Sequence, residues 1–164
     1  MSRKSALLII LFFIFCDAFG ANLDGRVVGV HDGDTITVLD ATKILHKIRL
    51  SGIDAPELKQ AFGTRAKQYL SKWVFNRQVV VEWEKRDRYG RIIGVVIVDG
   101  QDMNLELVAA GMAWWYRGYA AEQPPDDREL YAVAENEARA GKRGLWADNA
   151  PVPPWEWRRT KPQK

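Results

Sequence analysis

Three carboxylates and two arginines are the residues of this sequence whose types and spacing could do chemistry. Asp34 opens the alternating run Thr35-Ile36-Thr37-Val38 on the same parity as Ile36 and Val38, so strand geometry sets it at the lip of a core. Asp54 and Glu57 lie in Ile53-Asp54-Ala55-Pro56-Glu57. Pro56 fixes its own backbone and pushes Ala55 into an extended conformation, so both carboxylates and the Ala55 carbonyl are held in a rigid array. Gly52, just before, permits a sharp departure from the preceding strand. Three carboxylates beside stiff turns make a set of hard oxygen donors. Calcium suits such a set, because it accepts carboxylates, a carbonyl and water in flexible geometry, whereas zinc would require His or Cys. His31 and His46 are the only histidines, neither has a ligand-spaced partner, and both are read as turn or surface residues.

Arg49 sits within Ile48-Arg49-Leu50, whose flanking residues face a core while the guanidinium points the other way. Arg91 follows the turn Asp87-Arg88-Tyr89-Gly90. Both cations are therefore on firm backbone. A planar guanidinium can bind two phosphate oxygens at once and stays charged at any working pH. Carboxylates with two anchored arginines, and no Ser-His-Asp or Cys-His set, point to phosphodiester cleavage by a metal-assisted water. Each piece also has an ordinary reading: Asp32-Gly33-Asp34 as turn chemistry, the arginines as partners of nearby carboxylates. Trp114-Trp115-Tyr116, Tyr119 and Tyr89 offer faces on which bases could stack, with core packing as the alternative for at least one Trp.

The elements that must position these groups read as a small barrel. Strand patterns cover residues 23–30, 35–39 and 44–50, the first two joined by Asp32-Gly33, a hairpin signal. A helix over 61–74 places Ala66, Leu70, Trp73 and Val74 on one side. Strands follow at 78–84 and 92–98, then a short helix over 103–110 stopped by Gly111. Asp126 and Glu129 suggest a capping box for a third helix reaching about residue 140, ended by Gly141. The order predicts a mainly β, α+β fold: a five-stranded OB-type barrel with about three helices. A small mixed sheet with helices on one face would give a similar string.

The chain has 164 residues, 47% hydrophobic and 27% charged, which suits one globular domain. Its first twenty residues stand apart. Arg3-Lys4, an apolar run and Ala18-Phe19-Gly20 read as a secretory signal peptide cleaved before Ala21, with an uncleaved anchor as the alternative. Cys16, the only cysteine, would leave with the leader; its lipidation is disfavoured by the bulk of Phe15. Loss of residues 1–20 removes two cations and one anion from a formal charge of +3, leaving a mildly basic chain that suits a polyanionic partner. Residues 151–164 form a Pro- and Trp-rich basic tail, expected to be extended.

Taken together, Val30-His31-Asp32-Gly33-Asp34-Thr35, the run from Arg49 to Glu57, Asp87-Arg88-Tyr89-Gly90-Arg91 and Asn104-Leu105-Glu106-Leu107-Val108 with Gly111 resemble the ordered signatures of the staphylococcal nuclease (thermonuclease) family. The resemblance covers nearly all of residues 21–150. It implies an OB-fold enzyme that cleaves DNA and RNA with calcium and leaves 3′-phosphate ends. Asp34, Asp54 and the Ala55 carbonyl would be metal ligands, Arg49 and Arg91 would bind the scissile phosphate, and Glu57 would be the general base or water-positioning group. Tyr89 and Tyr119 are candidate substrate contacts. Ala55 stands where the prototype has a threonine, but only the carbonyl is required there. The path from Glu57 to the first helix lacks the prototype's longer lysine-rich loop, which alters substrate access. The expectation is a monomeric, secreted or periplasmic calcium-dependent nuclease without stable membrane association. The rival is an OB-fold nucleic-acid-binding module without catalysis, which would have no need of all five charged site residues.

Overall fold

In chain order the elements are β1 (Ala21–Val30), β2 (Thr35–Asp40), β3 (Leu45–Leu50), β4 (Ile53–Asp54), α1 (Gly63–Val74), β5 (Gln78–Arg86), β6 (Ile92–Val98), β7 (Gln101–Asp102), α2 (Met103–Ala109), β8 (Trp114–Trp115), α3 (Pro125–Ala140) and α4 (Pro154–Arg159), with short 3-10 turns at Arg117–Glu122 and Gly144–Ala147. These come from a computed structural model that describes residues 21–160. The expected leader over 1–20, with Cys16, lies outside the described residues, as do residues 161–164. No helix among the described residues is long and apolar enough to cross a membrane.

Antiparallel pairing joins β1 to both β2 and β5, β2 to β3, and β5 to β6. Parallel pairing of β3 with β6, Ile48 opposite Ile92 and Leu50 opposite Gly94, closes these five strands into a barrel. The fold is thus the OB-type α+β architecture read from the sequence. Strict alternation along β6 buries Ile92, Gly94, Val96 and Val98, and the same period sends Ile48 and Leu50 of β3 inward. Helix α1 covers the core with Ala66, Leu70 and Val74, and α2 with Met103, Leu107 and Val108.

Three boundaries differ from expectation, each for a local reason. Phe62 adopts a left-handed conformation (φ 67°), so α1 cannot extend back through it and starts at Gly63 rather than two residues earlier. Asp126 and Glu129 do not form a capping box. Pro124 occupies the cap position without a side-chain bond, Pro125 takes the first helical turn, and Asp126 and Asp127 instead face the positive end of the helix dipole. The tail is not extended throughout: α4 forms because Pro154 is preset for a first helical position and Trp155 finds aromatic neighbours in Trp114 and Tyr116.

Candidate active site

The floor of the site is built where β2 and β3 leave the barrel. Thr35 pairs with Arg49 across the two strands, and Leu50 donates its N–H to the Asp34 carbonyl at 2.9 Å. Asp34 and Arg49 therefore emerge at the same end of adjacent strands. Gly52 turns the chain with φ 69°, after which β4 pairs with β8, Asp54 opposite Trp114. Ser51 donates to the Gly94 carbonyl at 2.8 Å, tying this turn to the barrel closure. Asn104, fully buried at the start of α2, locks the corner. Its amide nitrogen donates to the carbonyls of Ser51 (3.0 Å) and Gly94 (3.2 Å), and its oxygen accepts from Val96 N–H at 3.2 Å.

Arg49 lies between the two aspartates. Its Nη2 donates to Asp54 Oδ1 at 2.9 Å, and its Nη1 forms an ion pair with Asp34 Oδ2. Asp34 also accepts the Ala55 N–H at 2.7 Å and the Thr35 hydroxyl at 3.2 Å. Both aspartates are buried, 6% and 2% exposed. Burial pushes the Asp34 carboxyl up to about 7, against the pull of Arg49 and with further upward pressure from Asp32 and Asp54.

Closure of the barrel brings in Arg91, the residue before Ile92, which pairs with Ile48 of the arginine-bearing strand. Arg91 is braced by Asp87: Nε donates to Oδ2 at 2.7 Å, while Oδ1 takes the N–H groups of Tyr89 and Arg91 at 2.9 and 3.0 Å. Asp34, Arg49, Asp54, Glu57, Arg91, Tyr89 and Tyr119 all line one open cleft of about 800 Å³. Tyr89 and Tyr119 are exposed, at 69% and 55%, with Arg88 and Arg91 over the Tyr89 ring and Lys85 and Tyr116 beside that of Tyr119. Trp114 and Trp115 are buried, Trp114 edge-on to Trp146 at 4.3 Å, so core packing takes both tryptophans.

The described family "Staphylococcal nuclease homologue" matches residues 47–148. The chain belongs to that family. It is similar to a protein of Escherichia coli named "Uncharacterized endonuclease", 44% identical over 93% of this chain and 96% of the relative. It is likewise similar to a "Micrococcal nuclease" of Shigella flexneri, 43% identical over 85% of this chain and 82% of that protein. A "Staphylococcal-like nuclease" of Arabidopsis thaliana is 41% identical over 70% of this chain, which spans 34% of that longer protein.

Within this staphylococcal nuclease homologue the carboxylates divide into a buried pair and one half-exposed group. Among the described residues, no three carboxylates or imidazoles gather to hold one metal ion. Asp34 and Asp54 share Arg49, but Glu57 lies past buried Pro56 on the next turn, with its side chain 42% exposed. Its backbone is fixed instead: Glu57 N–H donates to Gln60 Oε1 at 3.1 Å, and a Cβ at Gly63 would stand 1.9 Å from the Glu57 carbonyl, so the start of α1 packs directly on this turn. The donors nevertheless suit calcium. Two buried carboxylates, one of them raised chiefly by its burial, sit beside the Ala55 carbonyl, a set of oxygen donors that a hard divalent cation would suit.

Arg158 is the site residue absent from the sequence reading. It reaches Asp54 with Nη2 to Oδ2 at 2.7 Å and Nη1 to Oδ1 at 3.2 Å, and Glu57 Oε1 with Nη1 at 2.9 Å. Its only sequence signal is indirect: Trp155 and Trp157 nearby are large apolar surfaces that a solvated tail would leave exposed.

Proposed function

We propose that this protein is an exported, calcium-dependent nuclease that hydrolyses phosphodiester bonds of DNA and RNA by attack of water and leaves 3′-phosphate ends. The observation that supports this most is the convergence of Arg49, Arg91, two buried aspartates and Glu57 on one cleft of a staphylococcal nuclease homologue. The names of the Escherichia coli and Shigella relatives agree with it.

In this reading Asp34, Asp54 and the Ala55 carbonyl hold calcium, which when bound supplies positive charge to the phosphate being attacked. Arg49 and Arg91 grip the phosphate oxygens and stabilise the charge of the five-coordinate phosphorus. Arg49 does so from a strand in the barrel wall, its guanidinium exchanging the Asp34 and Asp54 pairs for phosphate oxygens. Glu57 takes a proton from the attacking water or aligns it; a half-exposed carboxylate on a fixed backbone can touch a water that the buried aspartates cannot. The 5′-oxygen then leaves as the P–O5′ bond breaks. Tyr89 and Tyr119 hold bases at the rim.

The test begins with the protein expressed with residues 1–20 and recovered from outside the cytoplasm, whose N-terminus should lie at or near Ala21. Incubated with DNA and with RNA, it should cut both in calcium, stop on chelation, resume on readdition, and leave products with 3′-phosphates. Full turnover without metal would refute the calcium reading. Binding of nucleic acid with no cleavage under any of these conditions would make the protein a binding module.

A further inference from the structure

One of the guanidinium groups that line the cleft enters it from outside the barrel, on an anchored chain segment. Val152 accepts a hydrogen bond at 2.5 Å from Nε2 of Gln60, the same buried side chain whose Oε1 holds the Glu57 backbone. Pro154 is buried, and Trp155 packs against Trp114 and Tyr116 with ring centroids 5.6 and 5.3 Å apart. The six-residue helix α4 is thus seated over the cleft, and Arg158 in its last turn takes both oxygens of Asp54 and one of Glu57. The next residue, Arg159, is exposed.

This arrangement cannot be the reacting one. Asp54 is the carboxylate that the proposed function gives to a divalent ion, and a guanidinium seated on Glu57 occupies an oxygen that must reach the attacking water. Yet the pairing has a clear electrostatic cause. Arg49 serves Asp34 and Asp54 but does not reach Glu57 on the next turn, and Arg91 is paired with Asp87, so Asp54 and Glu57 together leave a place for one more cation. A divalent ion at the aspartates would repel the Arg158 guanidinium from Asp54. The side chain is 47% exposed, and a phosphate entering the same cleft would offer it another pair of oxygens.

We propose that Arg158 is a third phosphate-binding arginine of this site, held on Asp54 and Glu57 until metal and nucleic acid arrive. The proposal rests on the metal-assisted reading above. It makes two predictions of opposite sign, whereas a residue that merely stabilised the tail would weaken both functions when removed.

The experiment compares Arg158→Gln, Arg158→Lys and, as a control, Arg159→Gln. Calorimetry with calcium alone, without nucleic acid, should show Arg158→Gln binding the ion about three- to tenfold more tightly, as expected for removing a half-exposed competing ion pair. At saturating calcium, kcat/KM on oligothymidylate should fall roughly tenfold or more in Arg158→Gln, with part of the loss recovered in Arg158→Lys, which keeps charge without the planar fork. Arg159→Gln should change neither quantity. Unchanged or weaker calcium binding in Arg158→Gln would overturn the proposal, and so would unchanged kcat/KM. If the parent protein bound no calcium, the metal reading would fall and take this one with it; if the parent bound calcium and Arg158→Gln behaved like Arg159→Gln, only the role of Arg158 would be lost.

Discussion

Arg49 and Arg158 bring the same chemical group to the same aspartate by opposite structural routes. Arg49 projects from a barrel strand, is 18% exposed, and holds Asp34 and Asp54 together. Arg158 comes from a six-residue helix beyond the barrel, is 47% exposed, and touches Asp54 and Glu57. One is part of the floor, ordered whenever the barrel is folded; the other is held by the packing of Pro154 and Trp155 and by the Val152–Gln60 bond. The difference teaches where precision and adaptability reside in this cleft. The guanidinium that joins the two aspartates starts from a strand whose register is fixed on both sides, and the one that bridges Asp54 to Glu57 starts from the rim.

The sharpest way to break that division is to alter a floor arginine without altering its charge. Arg49→Lys keeps a cation but loses the planar fork that spans Asp34, Asp54 and a phosphate. Turnover should fall about 10²–10³-fold, the cost of removing one well-placed donor to the developing charge, with a smaller change in nucleic-acid affinity. Steady-state kinetics on a defined oligonucleotide would check this, and a change confined to KM would place Arg49 with the rim groups instead.

A second test asks whether the floor owes its rigidity to the corner at Asn104. Truncation to Ala leaves the carbonyls of Ser51 and Gly94 and the N–H of Val96 without their side-chain partner. Urea unfolding should show a loss of about 2–4 kcal/mol, as for several buried polar groups left unsatisfied. A loss below about 1 kcal/mol would mean that water or backbone replaces Asn104 and that the corner is not what fixes Asp54.

The smallest effect is expected at the rim. Tyr119→Ala should raise KM by about five- to tenfold, the low end of the ~1–3 kcal/mol of a base–aromatic contact, and leave kcat nearly unchanged. Equal losses of kcat in Tyr119→Ala and Arg49→Lys would erase the distinction between floor and rim.

The barrel and its floor were legible in the sequence because their signals are local. Alternation around Arg49 gave its direction, Gly52 and Pro56 gave the exit from the strand, and Asp34 was placed by parity with Ile36 and Val38. What was not legible depends on contacts between distant segments. Arg158 lies 104 residues from Asp54, and nothing within its own stretch says which carboxylate it meets. The spacing of Glu57 past Pro56 already set it apart from Asp54, but the arginine that joins Glu57 to Asp54 is not written near either. The capping box at Asp126 and Glu129 failed for a different reason: the two preceding prolines set the helix start before a side chain could.

The central claim is that Glu57 acts on water while the buried aspartates serve the metal, and Glu57→Gln tests it most directly. That change keeps size and hydrogen bonding but removes the basic oxygen. Calcium affinity, measured by calorimetry, should stay within a few-fold of the parent, while cleavage at saturating calcium should drop about 10²–10⁴-fold, the usual contribution of a general base. Cleavage as fast as the parent, or a loss of calcium binding that accounts for the lost activity, would contradict the account.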